Sequence, residues 1–194
     1  MASSYLYWLI IGCEIAFWIV LALALTVRYI LRLDRQSRLL LLALPGVDLV
    51  LLGFTALDLK SGRPAGVAHG LAAAYLGVTV AFGGMTVSWA DGHVAHWFAG
   101  SPKPAAAPTL GWPALRYELL LWARCVAAAL VTIVLVAGLI TFVNDEARTE
   151  TLRVWFRIPL GSIFFWFLFG PLWTLLFTSW RRKRGAANPE QGRD

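Results

Sequence analysis

With 194 residues, 59% of them hydrophobic and 14% charged, and a mean hydropathy of +0.67, the chain carries far fewer charges than the roughly 25% usual in soluble domains. That composition belongs in a bilayer, and the length leaves room for one compact helical unit and no second domain. The net charge of +6 comes from basic residues at the ends of apolar runs, which is the pattern of membrane flanks and excludes a nucleic-acid surface.

The first apolar run, Leu6 to Val27, is long enough to span. Its basic residues Arg28, Arg32, Arg35 and Arg38 follow it, whereas a cleaved signal carries positive charge in front, so an uncleaved anchor is expected. The second run, Leu39 to Leu57, contains Pro45-Gly46, which removes a backbone donor and predicts a kink. A short loop, Asp58 to Pro64, leads to the third run, Ala65 to Trp89. Residues 90–113 then form the longest connection, DGHVAHWFAG followed by SPKPAAAPTLGWP. Asp91 can cap a short interfacial helix there, ended by Gly100. The fourth run spans Leu115 to Phe142 and the fifth Val154 to Trp180, the latter rich in Phe and Trp and interrupted by Pro159 and Pro171. Arg181, Arg182, Lys183 and Arg184 stop it, and the polar end to Asp194 reads as a disordered tail. The basic run also suits anionic lipid headgroups.

These runs predict an all-α bundle of five transmembrane helices in the cell membrane. Eleven of the seventeen Lys and Arg residues fall on the side of residues 28–38, 103, 116 and 181–193, and five fall on the side of Lys60, Arg63, Arg148, Arg153 and Arg157. The richer side is cytoplasmic by the positive-inside rule, placing the N-terminus outside and the C-terminus inside. Cys13 and Cys125 lie in separate runs, about 10 Å apart in depth at about 1.5 Å rise per residue, so two free buried thiols are expected.

The third run carries the most informative pattern. Gly66, Gly70, Ala73, Gly77, Ala81 and Gly84 recur every three or four residues and therefore share one narrow face. Lipid supplies little hydrophobic drive between helices, so a bare face of this kind is a site of close backbone packing. It places this helix at the centre of the bundle, with the face either filled within the chain or open to a partner.

Charged groups within a span cost several kcal/mol unless paired, so Glu14, Asp48 and Arg124 are candidates for function. Their depths allow Arg124 to meet either carboxylate as a structural ion pair, or the three to act as a proton relay or ligand site. His69 matches Asp58 and Arg157 in depth at the outer interface, where a satisfied packing histidine is expected over a pH sensor. Asp91, His93 and His96 lie within six positions and could hold a metal only with further ligands, which no second cluster supplies. Haem ligation would need two histidines at one depth, and His69 stands alone at its level. No P-loop, dinucleotide fingerprint or nucleophile elbow occurs, so neither an enzyme nor a cofactor is expected.

The blocks DLVLLGFTALDLKSG, AHGLAAAYLGVTVAFG, WADGHVAHWFAGSPKP, RYE and FVNDEARTETL resemble the YmcC-like integral membrane proteins of Gram-positive bacteria, over roughly Leu6 to Trp180. The resemblance implies a membrane protein and carries no activity. Its pattern has a histidine and basic residues after the AFG block, where this chain has Gly84, Met85 and Thr86. The leading functional expectation is a scaffold or accessory subunit that packs with a membrane partner or itself, and the alternative is a small proton-coupled carrier using Glu14, Asp48 and Arg124.

Overall fold

The computed structural model describes residues 2–109 and 111–176. Among them there is no strand, and five helical segments are long and apolar enough to cross a membrane. These are α1 (Ala2–Tyr29), α2 (Asp34–Lys60), α3 (Val67–Ala99), α4 (Gly111–Val143) and a composite fifth span, Glu146–Leu176. In lipid every backbone group must be satisfied within its own segment, which is why apolar runs of this length close into helices. The basic run 181–184 and the tail lie outside the described residues.

Helix α2 runs on through Pro45-Gly46. Helix α3 departs from expectation at its C-terminal end. The separate interfacial helix expected after Trp89 is absent, and α3 continues unbroken through Asp91, His93 and His96 to Ala99. No proline interrupts this stretch, and Asp91 is engaged by α1 instead of capping a new helix. Gly100, at φ 65°, supplies the left-handed cap that ends α3, and there the expectation holds.

The fifth span is irregular. A one-turn helix α5 (Glu146–Thr149) leads into a 3₁₀ stretch (Glu150–Phe156), then α6 (Arg157–Phe167) and a π turn (Leu168–Leu172). Asp145 caps α5 by accepting from the Arg148 amide at 3.2 Å. Pro171 cannot donate to the turn before it, and the π turn absorbs the missing bond.

Helix α3 touches α1, α2, α4 and the 3₁₀ stretch, whereas α1 touches neither α4 nor the fifth span among the described elements. The bundle is thus two halves, α1 with α2 and α4 with the fifth span, joined chiefly through α3. The bare face of α3 is filled from within the chain over much of its length. Ala73 is fully buried. A β-carbon on Gly70 would overlap the Trp155 indole, and one on Gly77 would fall 2.6 Å from the Ala128 carbonyl oxygen and 2.5 Å from the Thr132 hydroxyl. Gly84 meets nothing within 4 Å. Leu59, Ala65, Val136, Leu139, Leu152 and Trp155 pack around Ala73 as one cluster. Phe17, Leu21, Leu25 and Ala90 form another between α1 and α3.

Cys13 and Cys125 are buried and free.

The close approach at Gly77 sets a clear expectation. Gly77→Ala forces a methyl group onto backbone and should lower the stability of the detergent-solubilised protein by about 1–3 kcal/mol, read as a lower unfolding midpoint. Gly84→Ala should change it by less than about 0.5 kcal/mol. Equal effects at the two positions would show that the contact at Gly77 is not what holds α3 to α4.

Candidate functional site

Three polar groupings lie within the spans or at their ends. The most completely connected is at the α2–α3 loop. Asp58 and His69 are both buried, at 7% and 2% exposure, and His69 Nε2 lies 3.0 Å from Asp58 Oδ2. The Gly66 amide donates to His69 Nδ1 at 3.0 Å. An imidazole nitrogen that accepts from an amide carries no proton, so Nε2 holds the hydrogen and donates it to the carboxylate. His69 is therefore a neutral side chain that caps the first turn of α3 and ties it to the end of α2, in agreement with a satisfied packing histidine.

Arg63, in the loop, pairs with Asp58 Oδ1. Arg157, expected beside Asp58 and His69, does not join them: it stands exposed at the start of α6. Arg148 takes the bridging role instead. Its guanidinium donates to the Leu59 carbonyl, where α2 ends, and to the Arg63 carbonyl at 3.4 Å. Its own carbonyl accepts from the Ala65 amide at 2.8 Å. A cation at a helix C-terminus is favoured by the exposed carbonyls there, so Arg148 of α5 ties the α2–α3 loop to the start of the fifth span. Sequence reading missed it because Arg148 looks like any charged loop residue; the FVNDEART block held the signal only as part of a shared pattern.

The second grouping lies within the α1, α2 and α3 spans. Glu14 accepts from Trp18 Nε1 at 2.9 Å and from the Tyr75 hydroxyl at 2.7 Å. Asp48 is 1% exposed, and neither of its carboxylate oxygens has a hydrogen-bond partner. Arg124, expected to join these carboxylates, is turned elsewhere: it donates to the Ala81 carbonyl at 2.9 Å. Ala81 and Gly77 lie on the α4-facing side of α3, while Tyr75 lies on the side of α1, so the body of α3 separates Arg124 from both acids. The structure thus corrects the expected three-residue network to two carboxyl groups without a basic partner. Direction around the bundle, set by which helices α3 separates, is what keeps Arg124 from the two acids.

The third grouping ties α1 to α3 at their other ends. Arg28 donates to both oxygens of Asp91 at 3.1 Å, and the Tyr29 hydroxyl donates to Asp91 Oδ1 at 2.9 Å. His93 Nδ1 lies 2.8 Å from the Trp89 carbonyl and His96 Nδ1 lies 2.7 Å from the Ser101 carbonyl. Asp91, His93 and His96 thus turn to different partners, and no group of three or more His, Cys, Asp or Glu side chains that could hold a metal occurs among the described residues.

The open surfaces between helices are apolar. A groove of about 450 Å³ between α3, α4 and the fifth span is lined by residues including Val78, Phe82, Cys125, Trp155 and Trp166. Another, of about 520 Å³ between α2 and α4, is lined by Leu49, Gly53, Ala56, Val134, Gly138 and Phe142 among others. A β-carbon on Gly53 or Gly138 would meet nothing within 4 Å. Lys60 stands at its end, over the Phe142 ring at 5.0 Å.

No protein-family profile matches the chain, and no solved structure is similar to it. Among curated proteins it is similar to the uncharacterized membrane protein YmcC of Bacillus subtilis (strain 168), with 39% identity over 147 residues, covering 75% of this chain and 78% of that protein.

The loop lock can be weighed directly. Asp58→Ala removes the acceptor of His69 Nε2 and the ion-pair partner seen for Arg63 and should cost about 3 kcal/mol, read as a shift in denaturant midpoint in mixed micelles. Arg157→Ala should leave the midpoint in place. An Asp58 variant as stable as the parent would show that the cluster does not hold α2 to α3.

Proposed function

The chain belongs to the YmcC family of multi-pass membrane proteins, and on that premise we propose that it works as a non-enzymatic accessory or scaffold subunit, packing against a membrane partner or a second copy of itself. The observation that carries this reading is the groove between α2 and α4, where Gly53 and Gly138 face open space. Small residues at a helix surface let another backbone approach closely, the main source of association in lipid. The glycines of α3 are used inside the chain at Gly70 and Gly77; those of this groove are not. The N-terminus and the α2–α3 loop would then lie outside and the C-terminus in the cytoplasm, as the distribution of basic residues supports. The run Arg181–Arg184 would then lie against anionic headgroups of the inner leaflet.

The alternative, a small proton-coupled carrier, draws its support from the two carboxyl groups Glu14 and Asp48 and no longer includes Arg124. Reconstituted vesicles in which a pH gradient drives no flux of any tested solute would remove it.

Two measurements test the main reading. In a background with Cys13 and Cys125 replaced by Ala, a cysteine at Gly53 or Gly138 should be captured by a bifunctional thiol crosslinker in native membranes, giving a discrete adduct with itself or another membrane protein. A protein that stays monomeric and free of adducts from both positions overturns the proposal. For orientation, a cysteine at Ser61 should react with a membrane-impermeant maleimide in intact cells, and one at Ser101 should not; the reverse pattern would invert the topology.

A further inference from the structure

Asp48 stands apart from every other charged group described. It is 1% exposed, both carboxylate oxygens lack a partner, and it lies within a span, where an uncompensated charge costs several kcal/mol. A buried carboxylate in that position is neutralised by something that binds it. The titratable groups that face it are Cys13 and Glu14 from α1 and Tyr75 from α3. None of these is a cation. Helix α4 meets α2 along Val134–Phe142, which brings no titratable side chain.

Oxygen atoms are available to a small cation. The Thr79 hydroxyl of α3 is near enough to act as a hydrogen-bond donor to Asp48, without a formed bond to either carboxylate oxygen.

We propose that Asp48 is an intramembrane binding site for a monovalent cation, a proton or sodium, with the Asp48 carboxyl as its primary ligand. The site stands whether or not the protein has an accessory role, because occupancy is read without any partner. Hard oxygen donors suit either ion, and the two are told apart by experiment.

The test uses the full chain in lipid nanodiscs with dicyclohexylcarbodiimide. This reagent adds to a protonated carboxyl in an apolar site, the acid O–H adding across one N=C bond, and the adduct rearranges to a stable N-acylurea with no leaving group. Mapping by mass spectrometry should find Asp48 labelled. If a proton is the ligand, labelling should fall about tenfold for each pH unit above the titration point. If sodium competes, labelling at constant pH should fall with added sodium and not with choline. Thr79→Val should weaken sodium protection and leave the pH dependence in place.

The wild-type chain carries the test, so it does not depend on the folding of Asp48→Asn, which should lose the label. Absence of label on Asp48 at every pH without sodium, while another carboxyl of the same sample reacts, overturns the proposal. So does labelling that neither pH nor sodium alters, because that identifies a permanently neutral structural acid.

Discussion

Everything in this bundle depends on how closely α4 and Trp155 can approach α3. Between helices in lipid the hydrophobic effect contributes little, and attraction comes from packing of surfaces in contact. Gly70 and Gly77 remove the side chains that would hold those surfaces apart. Trp155 and the Ala128–Thr132 segment of α4 occupy the space released. Because α3 alone touches both halves of the bundle in earnest, losing this contact would leave α1 with α2 on one side and α4 with the fifth span on the other.

The polar groups reinforce the same arrangement from the two ends. At one end Asp58, His69, Arg63 and Arg148 join α2, α3 and α5. At the other end Arg28 and Tyr29 hold Asp91. Both clusters sit where spans emerge: Arg63, Arg28 and Asp91 stay part-exposed, while the buried Asp58 is held by its hydrogen-bonded partners. The middle of the bundle is different. Glu14 is satisfied by Tyr75 and Trp18, Arg124 by a backbone carbonyl, and Asp48 has beside it the Thr79 hydroxyl with no formed bond to either carboxylate oxygen. A protein that needed only stability would gain from an apolar residue there, which is why Asp48 is the residue that points beyond architecture.

The surfaces left over explain why the family reading stops at class. The grooves are apolar and open, as suits lipid or another helix, and the ion pairs are used in holding the bundle. Among the described residues, Asp48 is a buried carboxyl without a basic partner, and the groove between α2 and α4 carries the unfilled glycines Gly53 and Gly138.

Reading along the chain was enough for the spans, the central place of α3, the Gly100 stop, the free cysteines and the shared level of His69 and Asp58. Each of these follows from hydropathy, helical periodicity or height along a span, all of which are properties of linear order. The fate of Arg124, the role of Arg148 and the isolation of Asp48 were not legible. They depend on direction around the bundle axis, and that direction is fixed only when α3 settles between its neighbours. The continuation of α3 past Trp89 belongs with them. An aspartate before a glycine can start a helix as readily as it can pass through one, and its tie to Arg28 on α1, sixty-three residues away, selects the second course.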